Sequence, residues 1–291
     1  MTIMEALERA KLLTKERNAR PESRDQRRLP VPGDTATLRV LHEGVKAELE
    51  SESAPMAALG RLEVDPKACE RNRILYMDEH IALEARGAAA YRMLRGRMRH
   101  RALAKNWSAL GITSPGPGEG KTVTTLNLAI SIAREKQRTV YVLDLDMRAP
   151  KVMQYLGVNP PGSLSAYFSD ALTAAEVLFE TDMEKLIVAG ATEPSRNASE
   201  LLATSRLDEL MLAIRRRSPD ALILIDLPPV TSTDEALVVA PRVDALFLVA
   251  TEGRTRRDAL VRSMDLLSDF PVAGIILNRS SEKFGDDYYA Y

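Results

Sequence analysis

The stretch Thr113-Ser114-Pro115-Gly116-Pro117-Gly118-Glu119-Gly120-Lys121-Thr122 lies between an apolar run and a helical pattern. Glycines let a backbone turn successive N–H groups onto an anion, and the helix that follows adds the positive end of its dipole. In such a loop Lys121 reaches the outer phosphates of a nucleoside triphosphate and Thr122 ligates Mg2+. Pro115 stands where the usual pattern has its first glycine, but Gly118-Glu119-Gly120-Lys121-Thr122 keeps the groups that do the chemistry. Pro117, Gly118, Glu119, Gly120, Lys121, Thr122 and Val123 are therefore the expected phosphate cradle. Two further apolar runs end in carboxylates. One leads into Asp144-Leu145-Asp146-Met147-Arg148, the other into Asp226-Leu227-Pro228-Pro229. An aspartate at such a strand end can hold Mg2+ or its water opposite the phosphate loop. Taken singly, such a residue is more often the cap of the next helix. All of them falling at the phosphate-loop edge points to function. Lys121, Asp144, Asp146 and Asp226 are the catalytic candidates. Thr122, Asp144 and Asp226 are the candidates for metal contact, with ATP or GTP as the nucleotide.

These residues need a scaffold that brings strand ends together. Short apolar runs at 108–113, 139–143, 186–189, 221–225, 245–250 and 272–277 lack alternation, as strands buried on both faces do. Helical patterns at 121–135, 199–217, 233–240 and 254–268 fall between them. The alternation predicts an α/β fold with a doubly wound, mostly parallel sheet, whose chemistry sits at the carboxyl ends of its strands. Before residue 105 the chain is polar. A short amphipathic helix with Ile3, Leu7 and Ala10 on one side is expected at the start. A linker with one weak strand at 37–41 follows, then a basic helix at 78–105 with Ile81, Leu83, Tyr91 and Leu94 buried. The expected division is a helical or disordered arm and linker at 1–77, a nucleotide-binding domain at 78–280 and a tail at 281–291. Lys121 is expected to lie exposed in its loop.

Lys plus Arg number 40 and Asp plus Glu 41, a net charge of −1 that gives no support for a nucleic-acid partner. With 45% hydrophobic residues the composition is that of a soluble globular protein. The apolar runs are far below the ~18 residues needed to cross a bilayer, and the start has no secretion-signal pattern. Cys69 is the only cysteine, which excludes an internal disulfide or a cysteine metal cluster. The expectation is a cytoplasmic protein.

The set Pro117-Gly118-Glu119-Gly120-Lys121-Thr122, Asp144-Leu145-Asp146-Met147-Arg148-Ala149-Pro150 and Ile225-Asp226-Leu227-Pro228-Pro229 resembles the bacterial tyrosine kinases of capsule and exopolysaccharide synthesis. Ala189-Gly190 with Asn197-Ala198-Ser199-Glu200-Leu201-Leu202, Ile276-Leu277-Asn278-Arg279 and the terminal Tyr288-Tyr289-Ala290-Tyr291 match as well. The resemblance covers about residues 88 to 291 and leans toward the exosortase-associated subgroup. It implies a P-loop NTPase of the deviant-Walker type that uses ATP and Mg2+ and autophosphorylates Tyr288, Tyr289 and Tyr291. Asn278 and Arg279 would contact adenine. Implied partners are a separate membrane-bound chain-length or export activator that recruits the kinase to the inner membrane, further copies of the chain, and a cognate tyrosine phosphatase. Septum-positioning and partition ATPases are the alternative, but their additional loop lysine would stand at Gly116. The family's oligomerisation element, Glu-x-x-Arg-x-x-Arg, is matched by Arg92 and Arg95 and departs at Ala89. Read as residues alone, those arginines belong to a solvated basic face.

Overall fold

The structure, a computed structural model, describes residues 56–76 and 84–281. The expected helix at the start, the weak strand at 37–41, Ile81, Leu83 and the tyrosines of the tail lie outside the described residues. The strands are β1 (Gly60–Leu62), β2 (Ala109–Thr113), β3 (Val140–Asp144), β4 (Phe179–Thr181), β5 (Leu186–Ala189), β6 (Leu222–Asp226), β7 (Ala245–Thr251) and β8 (Val272–Asn278). They form one sheet in the order β1-β4-β5-β3-β6-β2-β7-β8. Neighbours are parallel except β4 and β5, so β1 and β4 run against the rest. The doubly wound, mostly parallel sheet expected from the sequence is borne out.

Every residue of β2, β3, β5, β6 and β7 is buried, which explains why these strands carry apolar runs without alternation. Successive side chains point to opposite faces and feed two cores. Tyr141 and Leu143 enter one with Leu207, Leu210 and Val239; Val140 and Val142 enter the other with Leu126 and Ile130. The helices covering these faces include α3 (Lys121–Ala133), α8 (Arg206–Arg217) and α10 (Arg257–Leu266). The single helix expected at 199–217 is two, α7 (Ala198–Leu202) and α8, with Ser205 at the start of the second. Between β3 and β4 lie the short helices α4 (Val152–Leu156), α5 (Leu164–Phe168) and α6 (Ala174–Val177). A further short helix, α9 (Glu235–Val239), follows β6.

The basic helix α2 (Glu84–Lys105) falls within the span expected at 78–105, whose first residues lie outside the described ones, but its arginines are not merely a solvated face. Arg95 donates to Ser131 O at 2.6 Å and pairs with Glu135 at 3.0 Å, and Arg101 donates to Ala273 O at 2.5 Å. The helix buries Ala88, Met98 and Ala102 and packs Tyr91 and Leu94, half-buried rather than buried, against the core, and these polar contacts add to its docking.

The expected boundary at residue 77 falls too late. β1 is an edge strand of the sheet, and α1 (Pro66–Arg71) has Asp65 as its N-cap, accepting from Lys67 N at 2.9 Å, with proline in its first turn. Val64, Cys69 and Ile74 are buried in the core shared with α3. Asp65 N donates to Leu156 O at 3.0 Å, Leu75 N to Asn127 Oδ1 at 2.7 Å, and Tyr76 Oη to Asp182 Oδ1 at 2.6 Å. Val64, Ala68, Cys69 and Ile74 are buried and Leu59, Leu62 and Tyr76 pack against the cores, so apolar burial and hydrogen bonds together attach the segment. Residues 56–76 therefore belong to the domain.

Candidate nucleotide site

β2 delivers the loop to the carboxyl edge of the sheet, where α3 begins. Gly118 and Gly120 adopt φ values of +77° and +88°, which residues with a Cβ avoid. A Cβ on Gly120 would also lie 2.2 Å from Asn278 Nδ2. Gly120 is the N-cap of α3 and makes no side-chain capping bond, so the first amides of a 13-residue helix are left for an anion. Asn278 Nδ2 donates to Glu119 O at 2.9 Å, and Asn278 Oδ1 accepts from Arg279 N. Its amide thus holds the loop, while Arg279 is exposed with φ +54°. The Glu119 carboxylate turns toward β7, accepting from Thr251 N at 2.9 Å and Thr255 Oγ1 at 2.5 Å, so only its backbone faces the cradle. Pro117 and Gly118 are exposed, Val123 half-buried.

Lys121, expected to lie exposed in its loop, is instead buried, with 8% accessible. As the first residue of α3 it points across the sheet edge. Its Nζ donates to Asp146 Oδ2 at 2.6 Å and lies 3.7 Å from Asp226 Oδ2. Burial would push the ammonium pKa down; Asp226, Asp146 and Asp144 outweigh it and push it up. Thr122 Oγ1 donates to Asp226 Oδ2 at 2.6 Å, and Thr125 Oγ1 to Asp226 Oδ1 at 3.3 Å.

Asp144 and Asp226 stand opposite each other in the parallel β3–β6 register. Both are fully buried, and burial raises both carboxyl pKa values; the neighbouring Asp226 charge adds to the rise at Asp144. Asp144 Oδ2 accepts from Lys151 N and Val152 N at 2.8 and 2.9 Å, and Oδ1 from Asp146 N at 3.2 Å. It caps α4 and shapes the turn that carries Asp146, so its oxygens are engaged with backbone before any ligand arrives. The structure therefore brings Lys121, Thr122, Asp144, Asp146 and Asp226 together.

The residues fit a magnesium nucleotide. Three carboxylates face one ammonium, an excess of negative charge that a divalent cation would offset, and hard oxygen donors suit Mg2+. The uncapped helix start and the left-handed glycines suit phosphate. Sequence reasoning missed Glu235, which holds Arg148, and Glu252, whose Oε2 accepts from Ser281 N and Oγ at 2.5 and 2.9 Å. Pairs so far apart in sequence leave no local signal.

Loop, sheet order and acidic strand ends define a P-loop nucleoside triphosphatase. The chain belongs to the ParA family, described as NUBPL iron-transfer P-loop NTPase, whose model matches residues 107–286, more than half of the chain. Tyrosine-protein kinase CpsD of Streptococcus agalactiae serotype Ia is 30% identical over 128 residues, 42% of this chain and 54% of its own length. The chain thus spans about half the length of that relative. The VpsO kinase domain superposes with a TM-score of 0.61 at 26% identity, covering 68% of this chain and 96% of that one. The kinase domain of the Escherichia coli tyrosine kinase ETK gives a TM-score of 0.62 at 22% identity, covering 84% and 98%, a likeness of fold. The resemblance to bacterial tyrosine kinases read from the motifs is borne out.

Proposed function

We propose that the chain is an ATP-dependent protein-tyrosine autokinase acting in exopolysaccharide or capsule synthesis or export, with Tyr288, Tyr289 and Tyr291 as acceptors. The observation that carries this reading is the 2.6 Å bond from Lys121 to Asp146, which ties the phosphate loop to the Asp-x-Asp-x-Arg element of the kinases. In ATP-dependent transfer the γ-phosphoryl leaves ADP for the tyrosine oxygen, and the phenolic proton needs an acceptor. Bound Mg2+ would supply neutralisation of phosphate charge. Thr122 would hold it, and Asp226, which already accepts from Thr122, would support it from the opposite strand end. Loop amides from Gly118 to Val123 grip the phosphates. Lys121 leaves Asp146 for the outer phosphates, and the carboxylate it releases takes the tyrosine proton. Asp144 shapes the turn through its bonds to backbone donors, and its Oδ1, with one bond at 3.2 Å, keeps a lone pair that could meet the metal. Asn278 supports the loop, and Arg279 is left to face the base.

Membrane recruitment by a separate activator, assembly with further copies and reversal by a phosphatase complete the proposal. Among the described residues no helix is long and apolar enough to cross a membrane. A second reading is a non-kinase ATPase switch, favoured by the ParA family match. Incubating the purified chain with ATP and Mg2+, then measuring phosphotyrosine and released phosphate, separates the two. Phosphotyrosine lost on changing Tyr288, Tyr289 and Tyr291 to Phe supports the kinase. Phosphate release without phosphotyrosine supports the switch, and neither supports a scaffold that binds ATP without turnover.

A further inference from the structure

The loop joining β6 to α9 touches both halves of the site. Val230 N donates to Ser114 O at 2.9 Å and Thr231 Oγ1 to Pro115 O at 2.5 Å, so its first half is tied to the phosphate loop. At its far end Glu235 accepts a hydrogen bond from Arg148 Nε. The Glu235 side chain is 1% exposed and that of Arg148 46%. Arg148 lies within the turn that closes on Asp146, where Ala149 N donates to Asp146 Oδ1 at 3.2 Å. A buried carboxylate is tolerated only when paired, so Glu235 holds this arginine firmly. Glu235 Oε2 is buried and accepts nothing from the described residues, which leaves room for the single hydrogen bond to become a fork. Asp234 and Glu200 add to the negative field that Glu235 places on Arg148.

We propose that Glu235 is a positioning residue: through Arg148 it keeps the Asp146 turn fixed against the β6–α9 loop when Lys121 leaves Asp146 for the phosphates. The inference rests on the kinase reading for what Asp146 then does. Without the Lys121 bond, Asp146 keeps its 3.2 Å contacts with Asp144 Oδ1 and Ala149 N; Asp144 still holds the turn to its own strand, and the Arg148–Glu235 pair is the side-chain bond that ties it to the β6–α9 loop. Because the same loop is bonded to Ser114 and Pro115, the turn and the phosphate loop share one support.

The test compares the full chain with Glu235→Gln, Arg148→Gln and the double variant. Hydrogen exchange is measured without nucleotide over residues 145–151 and over strands 140–143 and 222–225. Each single change should speed exchange in 145–151 by about tenfold and leave the strands unchanged. Phosphotyrosine kcat should fall by about tenfold or more with KM for ATP within about twofold, because misplacement acts on the transfer step. The double variant should be no worse than the poorer single one. Unchanged exchange, additive losses, or a KM effect at constant kcat would overturn the assignment. If the parent chain makes no phosphotyrosine, the kinase reading falls, and exchange at 145–151 still decides whether Glu235 holds the turn.

Discussion

Lys121 neutralises buried carboxylates before it meets any phosphate. Lys121→Met should therefore abolish nucleotide binding and also weaken the fold, since removing one partner of a buried ion pair costs about 3–5 kcal/mol. Asp144 and Asp226, already inclined to hold protons, soften that loss. A thermal melt lowered by roughly 6–12 °C, with no binding of a fluorescent ATP analogue, is the expected result. An unchanged melting point would mean that the buried pair contributes nothing to stability. Asn278 makes a different prediction. Its bond to Glu119 O supports the loop, so Asn278→Ala should weaken ATP and GTP binding alike, by about fivefold to tenfold. A loss confined to ATP would assign its amide to adenine instead. The lysine, the threonine and the strand-end aspartates were legible in sequence because each follows an apolar run. That Asp144 spends its oxygens capping α4, and that Glu119 faces Thr255, was not legible, because a side chain's partner across the sheet leaves no trace in local spacing.

The six long strands announced themselves by apolar runs. β1 and β4 span three residues each and are too short for any period to emerge. The helices α4 to α6 are hidden for the same reason, with at most five residues each. The segment 56–76 reads as linker because its buried residues follow no helical or strand period and their partners lie far off in sequence. Cys69 gives a direct check on it. Burial pushes the thiol up to about 12, with Asp65 and Asp182 adding to the rise, so neither thiolate nor access is available near neutral pH. Thiol reagents should leave the native chain unmodified and react once it is denatured; fast native labelling would mean that the segment detaches. Shortening the chain sharpens this. A chain beginning at Met56 should fold and bind nucleotide. One beginning near residue 80 loses Val64 and Ile74 from the core, at roughly 1.5–3 kcal/mol per side chain, a large part of a stability of about 5–15 kcal/mol. It should be insoluble or melt far lower.

On the proposed kinase reading, the question at the scale of the whole molecule is whose site receives the tyrosines. Ser281 is held to Glu252, which follows β7, at the edge where the nucleotide site lies. From Ser281 to Tyr288 an extended chain reaches at most about 25 Å, enough for the chain's own site or that of a copy packed beside it. Length alone does not choose, and charge acts alike on both sites, since a copy carries the same carboxylates; what charge sets is how firmly the tail can rest in either. Asp286 and Asp287 precede the acceptor tyrosines, and the site already holds more carboxylates than cations, so a resting complex of the tail in its own site is disfavoured. With no stable complex in its own site, the tail is free to reach a copy's site in passing, so transfer between copies is the expectation, with each added phosphate weakening the assembly by like-charge repulsion. Mixing a Lys121→Met chain bearing intact tyrosines with an active chain whose Tyr288, Tyr289 and Tyr291 are changed to Phe gives the check, run below the variant's lowered melting point. Phosphotyrosine on the first chain is the expected outcome. Its absence, with the unaltered chain active alone, would mean that the tail folds back into its own site and that the acidic residues do not keep it out.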